Sequence, residues 1–249
     1  MKAILPSAGY ATRLYPLTEK TPKTLLKIGN NPIIEHIIKK IEAVPNIDEI
    51  IIITNNKYYN SFLSWKKQFI SSKSNKILND FTNSNEDRLG TIKDIQIVLE
   101  KENVKGNFLV INSDNFFSFN LNDIIKNFKK DSLGSIAMFD VVSLEIAKMM
   151  GSVKLDENKK LIFFKEKDEN VESGFCSVGV YHFSEKVREL MNEYLKLGLN
   201  ADKSGNFLEW LYKKGDIYGH TYERKKEFWF DIGSKESYEK AKSFFEFLY

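Results

Sequence analysis

Residues 48–54, DEIIIIT, are an uninterrupted β-branched run with charge at its start. A strand that faced water on one side would alternate apolar and polar residues. A continuous run fits a strand covered on both faces, as in a parallel sheet with helices on each side. The segment before it, 32–44, places Ile33, Ile34, Ile37, Ile38 and Ile41 at helical spacing, and Pro32 falls where a first-turn proline is welcome. Helix then buried strand is the βαβ rhythm, and it continues. KAIL near the start reads as a strand, 57–70 as a helix, 75–80 as a weaker strand and 91–103 as a helix. Residues 107–115, NFLVINSDN, read as a strand ending in Ser-Asp-Asn. A helix over 120–130 follows, with Asn120 or Asn122 as its N-cap, then a strand over GSIAMFDVV. The expectation is an α/β fold, a Rossmann-like and mostly parallel sheet with helices on both faces.

After about residue 150 the rhythm changes. Residues 151–167 alternate like a hairpin around a polar turn at 156–159, and GFCSVGVYHF is a further strand. Two helical patterns and a last strand and helix, KEFWFDIGSKESYEKAKSFFEF, follow. With no repeat, low-complexity tract or evident linker, residues 1–249 are expected to form one domain. Its first portion is 1–150, and a smaller, more antiparallel lobe spans 151–249.

Charge narrows the partners. The 249 residues carry 37 Lys and Arg against 34 Asp and Glu, net +3, which argues for neither a nucleic-acid nor a membrane partner. The lone cysteine, Cys176, excludes a disulfide framework and is expected to be a buried small hydrophobe. No apolar run reaches the length of a signal peptide core or a membrane span, so the expected location is cytoplasmic.

The stretch after the first strand, LPSAGYATRLYPLTEKTPKTLL at 5–26, is a long loop of small residues bearing Arg13 and Lys23. In open α/β sheets ligands bind beyond the carboxyl ends of the strands. Small residues let main-chain amides approach a ligand. A guanidinium fork and a mobile ammonium suit phosphate oxygens. A solvated surface loop is the competing reading. The loop contains neither G-x-G-x-x-G nor G-x-x-x-x-G-K-[ST], so neither the dinucleotide fingerprint nor the P-loop applies. Asp114 and Asp231 each follow a predicted strand. On residue type alone they are metal ligands, or a helix cap and a turn residue respectively. His36, His182 and His220 are widely spaced and read as structural. Trp65 and Trp210 read as core, and Trp229 as a residue of the pocket wall or the core.

The loop resembles the opening motif of the sugar-1-phosphate nucleotidyltransferases, G-G-x-G-T-R-L-x-P-L-T followed by P-K. Gly9, Thr12, Arg13, Leu14, Pro16, Leu17, Thr18, Pro22, Lys23 and Leu25 fall in register. Further elements follow in the family's order: RLGTI at 88–92, NSDN at 112–115, FKEK at 164–167, GVYHF at 179–183 and FWFDIGSKESYEKA at 228–241. The departures are Tyr10 and Ala11 within the first motif, Ser113 for a glycine and Asp168 for a proline. Ala11 strains the loop if its position needs a positive φ. Tyr10 is bulky enough to stack on or shield a base.

The resemblance implies a GT-A-like nucleotidyltransferase fold and transfer of a nucleotidyl group from an NTP to a sugar 1-phosphate. Pyrophosphate is released by in-line attack on the α-phosphorus. Thymidylyl or uridylyl transfer to glucose 1-phosphate is the nearest form. Guanylyl transfer to a mannose or heptose 1-phosphate and cytidylyl transfer to phosphocholine are the alternatives. It implies Pro6, Ser7, Ala8, Gly9 and Gly90 at the nucleotide, with Arg13 and Lys23 as catalytic cations. Gly151, Glu166 and Lys167 would hold the sugar phosphate, and Asp114 and Asp231 a Mg²⁺ ion. The first portion then holds nucleotide and the second sugar phosphate. Asn79, Thr82 and Asn83 are candidates for reading the base. Homo-oligomers are common in the family. A nucleotide sensor without turnover would need no acidic pair, and a nicotinamide oxidoreductase would need the missing glycine fingerprint.

Overall fold

The structure is a computed structural model and describes residues 1–171 and 174–248. Strand β1 (Lys2–Pro6) opens into the long loop, which makes two 3₁₀ turns, Thr12–Leu14 and Lys23–Leu25. A small hairpin, β2 (Lys27–Ile28) with β3 (Asn31–Pro32), leads into α1 (Ile33–Glu42). Pro32 stands just before the first helical turn, as the N-cap, one place earlier than its spacing suggested. All five isoleucines of α1 are buried, Glu35 lies in the first turn and Lys39 and Lys40 in the last, the charge order that the helix dipole favours. Then come β4 (Glu49–Thr54), α2 (Asn56–Gln68), β5 (Ser74–Asn79), α3 (Thr91–Lys101) and β6 (Phe108–Ile111). The Asn55 side chain caps α2 by accepting from the Tyr58 amide at 3.0 Å.

Strands β5, β4, β1 and β6 lie side by side in that order, all parallel. The isoleucine run of β4 explains why both faces are covered. Ile50 and Ile52 join one core cluster, with α1 and α2, while Ile51 and Ile53 join the other, with α3. Successive side chains of a strand point to opposite faces, so four apolar residues in a row serve two cores.

The expected strand over 107–115 divides. β6 stops at Ile111, where the Asn112 amide donates to Gly179 O at 2.8 Å, and the chain turns through Ser113 and Asp114. It resumes as β7 (Asn115–Phe117), off the main sheet. After α4 (Leu121–Lys126), capped by Asn120, β8 (Gly134–Asp140) and the short α5 (Leu144–Lys148) lead to the hairpin β9 (Gly151–Leu155) and β10 (Leu161–Glu166). The long strand β11 (Phe175–Phe183) joins the halves. It runs antiparallel to β6, β8 and β9, so the later strands extend the same sheet. Helices α6 (Val187–Lys196) and α7 (Ser204–Leu211) cover one face. β12 (Ile217–Tyr222) pairs parallel to β8. Finally β13 (Trp229–Asp231) pairs antiparallel with β7, ahead of α8 (Lys235–Leu248).

Ile51 is wholly buried. Truncation to Ala is expected to cost about 3 kcal/mol, since buried isoleucines lose about 2–5 kcal/mol on such a change. Urea unfolding checks this, and a loss below 1 kcal/mol would mean that the second core is loosely packed about β4.

Candidate active site

A cleft of about 1700 Å³ opens beyond the carboxyl ends of β1 and β6, and the residues expected at the phosphates, the metal and the sugar phosphate lie on its wall, whereas the three candidates for reading the base do not. The first loop is held from below by β4 and α2. The Ser7 amide continues the strand pairing to Ile53 O at 2.8 Å, and Asn55 Nδ2 donates to Ala8 O at 2.7 Å. Tyr58 Oη donates to Thr18 O at 2.5 Å and Tyr10 O at 3.2 Å, and Thr18 Oγ1 to Ala11 O at 2.8 Å. The Ser7 amide is thus spent in the sheet and cannot meet a ligand. Among the described residues, the amides of Ala8 and Gly9 bond no protein carbonyl. No atom stands within 4 Å of a Cβ placed on Gly9.

Ala11 adopts φ 49, ψ 41, so the position does require the left-handed region and Ala occupies it at a cost. Tyr10 is not free to stack on a base. It is 3% exposed, its hydroxyl shares a hydrogen bond with Thr82 Oγ1 at 3.1 Å, and it packs against Tyr58.

Asp114 and Asp231 arrive from opposite ends of the chain. The β7–β13 ribbon sets Asp231 opposite Asn115, and the Ile232 amide donates to Asp114 O at 2.9 Å. Lys23 Nζ binds Asp114 Oδ2 at 2.8 Å. Asp231 is open to the cleft yet walled by protein. Poor hydration first, and then the Asp114 charge, push its carboxyl up to about 6, while Lys23, Arg13 and Lys203 pull the other way. Those causes place three cations around two carboxylates. Asp114 caps no helix. Ser234, not Asp231, caps α8, accepting from the Ser237 amide at 3.1 Å. Ser113 Oγ bonds Pro6 O and ties the Asp114 turn to β1. Trp229 lines the cleft and donates through Nε1 to Asn115 Oδ1 at 2.9 Å.

Elsewhere on the cleft wall, Glu166 pairs with Gly151 across the β9–β10 hairpin. Its carboxylate binds Lys203 Nζ at 3.0 Å, and its amide donates to Glu209 Oε2 at 3.0 Å. Gly205 makes room for it, because a Cβ there would lie 2.0 Å from Glu166 Oε2. Lys167 is exposed on the cleft wall at φ 55, its amide bonded to Met150 O at 2.9 Å. Asp168, in place of proline, is buried near Lys165 at 3.6 Å.

Asn79, Thr82 and Asn83 do not face the cleft. Asn79 and Asn83 bond Asn56 at 3.0 and 2.8 Å, and Thr82 bonds Tyr10 and Asp80. The wall at this end is formed instead by Asp80, Asn85, Arg88 and Asp94. Asp80 and Asp94 are both buried and face each other. Burial, then the Asp80 charge and hydrogen bond, push Asp94 up to about 8. Burial also raises Asp80, but its Oδ1 accepts from the Thr82 amide at 2.7 Å and Thr82 Oγ1 at 2.9 Å. Those bonds favour the charged form, so Asp80 is the ionised partner and Asp94 holds the proton. The sequence offered no signal for this pair or for Lys203, and Arg88 stood at the head of the RLGTI element without a role of its own.

A positively flanked acidic pair and unpaired main-chain amides stand at the carboxyl edge of the parallel strands, an arrangement suited to anions. Over residues 2–246 the chain matches the family described as nucleotidyl transferase, and it belongs to that family. It is 27% identical over 238 residues to the bifunctional protein GlmU of Methanococcus aeolicus, covering 94% of this chain and 51% of that one. It is 32% identical over 194 residues to the GlmU of Methanocaldococcus jannaschii, covering 78% and 42%. The mannose-1-phosphate guanylyltransferase regulatory subunit alpha of Dictyostelium discoideum is 30% identical, with 76% of this chain and 45% of that one covered. The chain thus spans about half the length of these relatives. Among solved structures, a UDP-glucose pyrophosphorylase bound to UDP-glucose superposes with TM-score 0.78 at 21% identity, covering 100% and 99%. The UTP-bound UGPase of Acinetobacter baumannii gives 0.76 at 19%, covering 100% and 94%. The fold is that of these proteins. Among the described residues, no helix is long and apolar enough to cross a membrane.

Two expectations concern the loop and the buried acids. Ala11→Gly relieves the left-handed strain and should raise stability by about 0.5–1 kcal/mol in urea unfolding; a loss would mean that the Ala11 methyl makes contacts outweighing the strain. Asp94 keeps its proton to about pH 8 in the folded protein, whereas an unfolded Asp releases it near about pH 3.9. The folded state therefore holds the extra proton between those values, and stability falls as pH rises through that window. In Asp94→Asn the unfolding midpoint should lose that decline, and an unchanged slope would place the proton elsewhere.

Proposed function

We propose that the chain transfers a nucleotidyl group from an NTP to a sugar 1-phosphate and releases pyrophosphate. The observation that carries this reading is the Lys23–Asp114–Asp231 cluster in one cleft, with Arg13 and Lys203 near enough to act on Asp231, Lys203 bound to Glu166, and Lys167 on the same wall. A reaction that joins two anions needs cations along the path that both must share. One relative is named for mannose 1-phosphate, and two structural neighbours are described as bound to UDP-glucose and to UTP, which supports the class.

The residues fit a Mg²⁺ ion. Two carboxylates from separate strands converge, one already holding an ammonium, and Mg²⁺ takes few protein carboxylates and keeps several waters. Asp114 and Asp231 would hold it, and when bound it would polarise the α-phosphate and neutralise charge on the phosphate oxygens.

The chain's own groups do the rest. Ala8 and Gly9 present amides to the nucleotide. Arg13 binds the outer phosphates and offsets the charge that builds on pyrophosphate as the bond to the α-phosphorus breaks. Lys23, released from Asp114, spans the α-phosphate and the incoming phosphate, whose oxygen forms the new bond in line. Lys167 and Lys203 hold the acceptor phosphate, and Glu166 and Gly151 face its hydroxyls. No covalent enzyme intermediate is required.

We assign the protein to the cytoplasm on composition. Cys176 suits that setting: it is buried in β11, and burial first, then the Asp140 and Glu166 charges, push its thiol up to about 12.

Pyrophosphate release is expected from one pairing in a panel of NTPs against sugar 1-phosphates and phosphocholine, and it should stop when the divalent ion is chelated. A panel silent throughout, or release indifferent to chelation, would refute the reading. Asp114→Asn should lower kcat by about a hundredfold or more with the unfolding midpoint unchanged. Arg13→Ala should raise KM for the triphosphate more than for the acceptor, and equal effects on both would remove it from the leaving-group end.

A further inference from the structure

Two segments of the cleft wall, one leading into α3 and one into α7, are joined by a contact that the transfer reaction itself does not require. Arg88 Nε donates to Asp202 Oδ1 at 2.9 Å and Arg88 Nη2 to Asp202 Oδ2 at 3.3 Å, a guanidinium fork on a carboxylate fork. Arg88 Nη1 donates to Asn85 O at 2.7 Å, which aims the fork. Behind the ion pair the loops meet through main chain. The Thr91 amide and hydroxyl donate to Asp202 O at 3.4 and 3.1 Å, and the Ile92 amide donates to Ala201 O at 3.0 Å. The start of α3, whose first amides have no partner within the helix, is thus satisfied by carbonyls of the segment that leads into α7. Gly90, at φ 89, is what permits the approach: a Cβ there would stand 2.6 Å from Ala201 O.

Directly after Asp202 comes Lys203, whose ammonium binds Glu166 at 3.0 Å and whose charge reaches Asp231. A continuous set of contacts therefore runs from Arg88 to Asp202 along the chain to Lys203 and on to Glu166. It begins on the wall by Asp80 and Asp94 and ends at the acceptor pocket.

We propose that the Arg88–Asp202 pair is a positioning clasp, which fixes Lys203 for the acceptor phosphate and makes acceptor and nucleotide binding depend on each other. This rests on the nucleotidyl-transfer reading above. The two side chains are 42% and 44% exposed, and exposed pairs add little to folding stability, so the clasp should register in binding rather than in unfolding. A coupling of this kind is reciprocal: whatever the acceptor does for nucleotide affinity, the nucleotide does for the acceptor.

The test uses Asp202→Asn, Arg88→Gln and the charge swap Arg88→Asp with Asp202→Arg. Asp202→Asn leaves every cation of the cleft in place, yet should raise KM for the acceptor phosphate about five- to tenfold, with kcat and the unfolding midpoint nearly unchanged. The swap should recover most of that loss, which a merely structural surface pair would not show. Wild-type constants in Asp202→Asn, or an Arg88→Gln defect in nucleotide affinity that the swap leaves unrepaired, would overturn the clasp; the second result would mean that Arg88 acts on the nucleotide directly. Hydrogen exchange of the Thr91 and Ile92 amides, followed without substrate, reads the clasp apart from turnover. Faster exchange in Asp202→Asn supports it, and unchanged exchange overturns it. A wild-type protein that releases no pyrophosphate with any pairing, while its exchange responds as expected, would refute the transfer reading and leave the contact between the two segments standing.

Discussion

Two carboxylates brought face to face repel each other, and the rest of the cleft is arranged around that repulsion. Asp114 is held by the turn after β6 and Asp231 by β13, and the short β7–β13 ribbon binds them together through main-chain bonds that do not weaken when charge builds up. Burial first, and then that repulsion, raise the proton affinity of Asp231. The rise is offset by three cations from two segments: Arg13 and Lys23 from the first loop, and Lys203 from the start of α7. Each cation needs its own support. Tyr58 and Asn55 hold the first loop, and Glu166 and Gly205 hold the start of α7. The acidic pair thus gives a reason for much of the packing on this side of the sheet.

The strands and helices of the first half were legible because their patterns are local. The isoleucines of α1 and β4 state their periods plainly, and two covered faces leave few alternatives. The break in the strand over 107–115 was not legible, since Asn112 leaves the ladder to meet Gly179, a residue of a distant strand. β12 went unread as well, because its alternation is short and its partner β8 is far away in sequence.

The cleft shows the same division. Arg13, Lys23, Asp114 and Asp231 stand in ordered motifs and do meet in space. Lys203 is one lysine in a chain rich in them, and nothing marks it until α7 packs on Glu166. Asp94 sits in the first turn of α3, where an acid ordinarily pairs with the helix dipole in water. Only the tertiary fold buries it against Asp80 and changes its proton. Asn79 and Asn83 looked like ligand-facing amides from their loop position, but they are engaged with Asn56 at the foot of α2.

The β7–β13 ribbon carries one more consequence, for how sequences of this kind can drift. The chain after β12 runs from 223 to 227 across the surface before Phe228 bonds Ser118, and in such a stretch added or lost residues ordinarily do little harm. Within the ribbon the tolerance ends. Side chains alternate across a strand, so sliding β13 by a single place would turn Asp231 to the opposite face and bring Phe230 or Ile232 toward Lys23. Length is therefore free on one side of Trp229, while parity is fixed on the other.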